Sequence, residues 1–292
     1  MLAFLGSRGC RGGFRTAISA ALLVWLCGCT WVTYLGTDPR GSELGRTYYV
    51  GGAGPLGHVG TIDVPRALRR AGYRGSTEVF GWQCIVGGTL RDQVDRPKNE
   101  AQARRLAGRI EAYLRRYPGR KVNIVALSAG TGIATWALEA LPQDLRVHTV
   151  VFLGSSLSRD YDLTAALRHV DDKLYNFYCP DDPILRLAVP LAGSVDRRTH
   201  ESNLAGLSGF VLPARAGEAA AALYAQRVRN MPYQERYERY GYRGMHMDAA
   251  AAEFVELVIA PLLLEPQRPI TPFDRRIIRP DPPVVAGYEP TR

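Results

Sequence analysis

Apolar and polar positions follow two periods along this chain. Short β-branched and aromatic runs at Thr47–Val50, Thr77–Phe80, Val122–Leu127, Val147–Leu153 and Lys173–Tyr178 predict strands. Between them, apolar residues recur at helical spacing. Val64–Ala71 predicts a helix ending at Gly72. Ala103, Leu106, Ala107, Ile110, Tyr113 and Leu114 predict a longer one that stops before Pro118-Gly119. Ile133–Leu141 and Leu163–Val170 predict two more, and residues 81–97 read as a long loop. Beyond residue 183 the pattern is less regular. Gly217–Arg229 reads as helical. Asp248–Leu264 reads as a final helix with Phe254, Val255, Val258, Ile259, Leu262 and Leu263 on one face. Strands alternating with helices predict an α/β fold: a mostly parallel, twisted sheet with helices on both faces. Right-handed crossovers put all strand C-termini on one edge, where α/β sites form.

Composition fits that reading. Hydrophobic residues make up 46% and charged residues 22%, enough apolar material for a full core. The net charge is +9, carried almost wholly by arginine, with lysine only at 98, 121 and 173. No arginine-rich helix or basic-aromatic stripe stands out, so nucleic acid is not an expected partner. The charge suits a solvated surface facing anionic lipid.

The N-terminus reads as a targeting segment. Arg8, Arg11 and Arg15 precede an apolar stretch, Thr16–Leu26, that is short for a membrane span. Leu26-Cys27-Gly28-Cys29 follows and resembles the lipobox of bacterial lipoproteins. The resemblance implies that Cys29 becomes a lipidated first residue after cleavage. It also implies anchoring to a membrane of the bacterial cell envelope, on its extracytoplasmic face. The organisation expected is a signal segment (1–29), a linker (30–45), one α/β domain (46–264) and a tail (265–292) holding seven prolines. Of five cysteines, Cys84 and Cys179 would remain in the domain, near the ends of predicted strands that need not be neighbours. No bond between them is expected.

The candidate chemistry begins at Ser128, where Val122–Leu127 runs into Ser128-Ala129-Gly130 and then a helix. This is the pattern of a strand–turn–helix nucleophile elbow, G-x-S-x-G with Ala126 in place of the first glycine. A tight turn lifts the hydroxyl clear of the backbone and aims the Ala129 N–H at a developing oxyanion. A serine needs a base, and the base an orienting carboxylate. Asp181 and Asp182 follow the strand ending at Tyr178, and both are candidates, with Asp182 favoured by the Pro-Ile-Leu after it. His246 lies just before the final helix; His58, His148, His169 and His200 are not so placed. The glycine loop Gly51–Gly54 would supply a second oxyanion donor, from Ala53 or Gly54. Trp82 and Gln83 are candidate pocket-lining residues in the loop at 81–97. There is no H-E-x-x-H or paired C-x-x-C motif, and the chemistry requires no cofactor or metal.

Together, Ser128, Asp182, His246 and the 51–54 loop resemble the α/β-hydrolase superfamily over residues 46–264. Lipase- and esterase-like members of bacterial envelopes are the nearest in character. Ala205–Phe210 and Phe254–Leu262 add to the resemblance. It implies a serine hydrolase acting on a small-molecule or lipid ester, with the two leading sheet strands reduced and no large cap domain. An acyltransferase or thioesterase on the same fold, or a non-catalytic interaction module, is the alternative.

Overall fold

A computed structural model describes residues 35–83, 88–198 and 203–264; the lipobox with Cys29, Cys84, His200 and the proline-rich tail lie outside the described residues. Six strands form one sheet: β1 (Arg46–Val50), β2 (Ser76–Val79), β3 (Val122–Leu127), β4 (Thr149–Leu153), β5 (Leu174–Tyr178) and β6 (Val228–Pro232). Their order is β2-β1-β3-β4-β5-β6, and every neighbouring pair is parallel. The fold is thus α/β, as the alternating pattern predicts. The order reverses direction between β1 and β3, and the loops leaving these two strands open a crevice at their C-terminal ends.

Both sheet faces are buried, so the strands carry apolar residues on each side. Tyr48, Val50, Val122, Ile124, Ala126, Val150 and Phe152 point into one core, with helices Arg96–Arg116 and Gly130–Glu139. Tyr49, Val125, Leu127, Val151, Leu153 and Phe177 point into the other, with helix Asp63–Arg70 and the C-terminal helical stretch. The alternation within each strand is the period of two that a pleated backbone imposes.

Four sequence expectations need correction. The loop at 81–97 contains a helix, Gly88–Val94, and its last residues open helix Arg96–Arg116, which Asp95 caps by accepting the Lys98 N–H at 3.1 Å. Only Thr164–Leu167 of the helix expected at 163–170 forms. The segment read as helical through Arg229 stops at Arg227, and Val228–Pro232 adds a sixth strand. Pro232, lacking an N–H, is tolerated there because β6 is an edge strand. Finally, the last helix is not continuous. It passes from a 3-10 turn (Asp248–Ala250) through Ala252–Phe254 into a π-helical turn (Val255–Ile259) and then Ala260–Leu263. Pro261 explains the widening, because its ring and missing N–H disrupt the regular ladder of the preceding turn. No described helix is long and apolar enough to cross a membrane.

Phe254 is the keystone of the second core: it is fully buried and its ring meets Phe177, Tyr237 and Tyr242 at 4.8–5.5 Å. Phe254→Ala is expected to destabilise the fold by about 3–5 kcal/mol, read as a shift in the urea unfolding midpoint at unchanged slope.

Candidate active site

Ser128 directly follows β3 and is one of two non-glycine residues with positive φ among the described residues, at 54°. This left-handed conformation is disfavoured for a residue with a Cβ and is held here by its neighbours. The Ser128 N–H donates to Leu153 O on β4 at 2.9 Å. Its carbonyl accepts from the Thr131 N–H at 3.0 Å and the Thr131 hydroxyl at 2.6 Å. Helix Gly130–Glu139 begins two residues on, with Ala129 fully buried at its cap. The first N–H groups of a helix have no partner within it, so this turn gathers donors beside the serine.

The glycine at 130 has a measurable reason. A Cβ there would lie 2.4 Å from both Val50 O and Gly51 O. The helix start therefore packs onto the bare backbone at the end of β1. Across the same crevice, a Cβ on Gly52 would sit 3.2 Å from Ser128 Cβ and 3.7 Å from its hydroxyl oxygen. The glycine loop thus lies directly against the serine.

Asp182 and His246 meet in a buried contact, with His246 Nδ1 2.6 Å from Asp182 Oδ2. A carboxylate only accepts, so Nδ1 carries the hydrogen, and in the neutral imidazole Nε2 is then the lone-pair nitrogen. The other oxygen of Asp182 accepts the N–H groups of Ile184 and Leu185 at 3.0 and 3.1 Å. The carboxylate thus caps helix Pro183–Ala192, and its charge faces the positive end of that helix. Asp181, by contrast, is exposed and pairs with Arg186. Sequence left these two aspartates open; only Asp182 reaches the imidazole.

Gly154, with φ of 53°, lies between the end of β4 and the histidine ring. It follows the strand-end Leu153 that accepts the Ser128 N–H, and a Cβ on it would lie 3.1 Å from the His246 ring. Among the described residues His246 Nε2 is buried and has no hydrogen-bond partner, so the imidazole is oriented by Asp182 without a hydrogen bond to Ser128. Below the histidine loop, burial pushes the Cys179 thiol above its ordinary value. It is a free thiol packed near Gly244.

The other candidates lie around the glycine loop. Trp82 is buried, and its indole N–H donates to Gly51 O at 2.8 Å. Gln83 donates its amide to Gly52 O at 2.8 Å. Both brace the glycine loop. The Gly54 N–H donates to the buried Asp92 carboxylate at 2.8 Å, which withdraws Gly54 as an oxyanion donor and leaves Ala53 of the pair considered. Asp92 in turn forms an ion pair with Lys98, and its carbonyl accepts from Asn99 at 2.6 Å. Sequence reasoning missed Asp92, Lys98, Thr131 and Gly154. Of these, only Lys98 leaves a signal in the pattern, three residues after an aspartate suited to capping a helix.

Other histidines lie elsewhere: His169 Nδ1 contacts Leu145 O at 2.8 Å, His148 lies by Lys121, and His58 is half-buried in a turn after the glycine loop. A surface groove lined by Arg46, Glu78, Arg109, Tyr113 and Arg116 opens at the start of β1, the opposite sheet edge from Ser128. Among the described residues no group of three or more His, Cys, Asp or Glu is placed to hold a metal ion.

No protein-family model and no curated protein matches this chain. Among solved structures it is similar to Aspergillus fumigatus lipase B, 14% identical with a TM-score of 0.42 over 75% of this chain and 52% of the lipase. It is also similar to Trichoderma reesei cutinase in complex with a phosphonate inhibitor, 15% identical with a TM-score of 0.36 over 87% of this chain and 94% of the cutinase. The chain spans about half the length of the lipase. These are likenesses of fold and assign no chemistry to this chain.

The elbow geometry predicts opposite effects for two glycines in helices. Gly108 is exposed, with nothing within 4 Å of the place an added methyl group would occupy, so Gly108→Ala should stabilise by about 0.5–1 kcal/mol. Gly130→Ala gains the same propensity but drives a methyl into two carbonyl oxygens, and should lose about 1–3 kcal/mol net. Thermal unfolding of the two variants beside the parent decides both signs.

Proposed function

We propose that this chain is a serine hydrolase that cleaves a carboxylic ester through an acyl-enzyme. The observation that carries the reading is the buried Asp182–His246 contact, at the same sheet edge as Ser128 with its positive φ. Ser128 Oγ attacks the acyl carbon as His246 Nε2 takes its proton. Negative charge builds on the former carbonyl oxygen, and the N–H groups of Ala129 and Ala53 receive it. The leaving alkoxide takes the proton from His246 as the tetrahedral intermediate collapses to the acyl-enzyme. Water then repeats the sequence and releases the acid. Asp182 holds the tautomer and stabilises the imidazolium while it exists. No cofactor enters these steps.

An apolar acyl group suits the surroundings. Leu90, Ile184, Leu187 and Met245 are exposed on the segments flanking these residues. Helices Gly88–Val94 and Pro183–Ala192, which carry the first three, pack against each other, and Gln93 donates to Gly193 O at 3.1 Å. One observation favours a second reading, a non-catalytic module on the same fold: Nε2 makes no hydrogen bond.

Fluorophosphonate labelling of the full-length chain separates the two. Wild type should label, while Ser128→Ala and His246→Ala should not, and Asp182→Asn should turn over a short-chain nitrophenyl ester about 10⁴-fold more slowly. A folded wild type that takes no label excludes the hydrolase. Anchoring through Cys29 is a separate proposal, resting on the lipobox at 26–29. Cys29→Ala should move the protein from the membrane fraction to the soluble fraction on cell fractionation, because the acyl chains that would hold it, each worth about 0.8 kcal/mol per buried methylene, are then absent.

A further inference from the structure

Lys98 touches both supports of the glycine loop. Its ammonium forms an ion pair with Asp92 and lies 4.8 Å from the centre of the Trp82 ring. Asp92 holds the Gly54 N–H, and Trp82 holds the Gly51 carbonyl. The loop is therefore gripped at both ends by partners of one side chain. Lys98 itself is fixed at the N-terminus of helix Arg96–Arg116, where Asp95 accepts its backbone N–H. In a chain with 37 basic residues and only three lysines, a compact ammonium stands at this point.

The charges explain why this matters for chemistry. The Asp92 side chain is fully buried, and its carboxylate is bonded to the amide one residue beyond Ala53. A lone carboxylate there would oppose an oxyanion growing at the same loop, in an environment too poorly solvated to screen it. The Lys98 ammonium cancels that field while leaving the carboxylate free to hold the loop. We infer that Lys98 and Asp92 are positioning residues for the proposed hydrolysis: Asp92 sets the course of the oxyanion loop, and Lys98 neutralises Asp92 so that the loop stays receptive to negative charge. The inference rests on the serine hydrolase reading. Neither side chain touches the reacting atoms; both act through the loop.

The test is steady-state turnover of p-nitrophenyl butyrate by the full-length chain, with folding followed by circular dichroism. Lys98→Met should lower kcat about a hundredfold with KM within about threefold, the size seen when an oxyanion donor is lost. Lys98→Arg keeps the charge and should recover most of that loss. Asp92→Asn keeps one oxygen for the Gly54 N–H but turns its NH2 toward the Lys98 ammonium, so its kcat should fall by no more than about tenfold, less than that of Lys98→Met. The double variant Asp92→Asn/Lys98→Met should turn over at least about tenfold faster than Lys98→Met alone. A purely structural pair would lower the unfolding temperature without this kcat pattern. The inference is overturned if folded Lys98→Met keeps kcat within about threefold of wild type, or if Asp92→Asn alone falls about a hundredfold. Should Lys98→Met not fold, Asp92→Asn and Lys98→Arg still decide. Wild type without Ser128-dependent turnover overturns the hydrolase reading itself and this inference with it, whereas Ser128-dependent turnover indifferent to Lys98 overturns this inference alone.

Discussion

The approach of helix Gly130–Glu139 to the end of β1 governs the arrangement of this edge of the sheet. Two carbonyl oxygens, of Val50 and Gly51, lie where any side chain at position 130 would begin. Such closeness is possible because β1 and β3 are neighbours whose connections leave in opposite directions across the sheet. It forces the turn at Ser128 to be tight and puts that residue at positive φ. It also brings the glycine loop onto the serine, since Gly52 follows directly from the contacted carbonyl. Separating helix and strand by even one methyl group would move each of these features.

Buried polar groups on this edge are satisfied in a way that divides the labour between atoms. One oxygen of Asp182 caps a helix and the other holds an imidazole. The helix cap holds the carboxylate through contacts that do not involve the histidine. Asp92 works similarly, with one oxygen toward a backbone amide and the other toward an ammonium. A buried carboxylate with a single partner would be an expensive component; two partners from different elements tie those elements together.

Much of this architecture was legible in the chain. Five strands stood out because a sheet buried on both faces needs near-continuous apolar runs, such as Val122–Leu127. The sixth, Val228–Pro232, did not: it is an edge strand with Arg229 and Asn230 in its middle, following directly on an alanine-rich helix. Order and spacing singled out Ser128, Asp182 and His246, and the structure brings Asp182 and His246 into contact. Which neighbouring aspartate met the histidine was not legible, because adjacent residues differ only in direction, and direction is set by the helix that Asp182 caps. The roles of Gly54 and Trp82 were hidden for another reason. They depend on Asp92 and on the Gly51 carbonyl, contacts across dozens of residues with no local trace.

Several features that oppose stability lie at this edge. Ser128 holds a backbone conformation that costs on the order of 1–3 kcal/mol. His246 keeps a buried nitrogen without a partner, and Leu187 and Leu90 expose large apolar surfaces nearby. At the opposite end of the sheet, Arg46 and Arg109 both pair with Glu78, and the Tyr113 hydroxyl donates to Ser42 O. A strained turn and an unpartnered buried nitrogen, set at the crevice where the strand order reverses, are local departures from the rules of stable packing of the kind that functional sites retain.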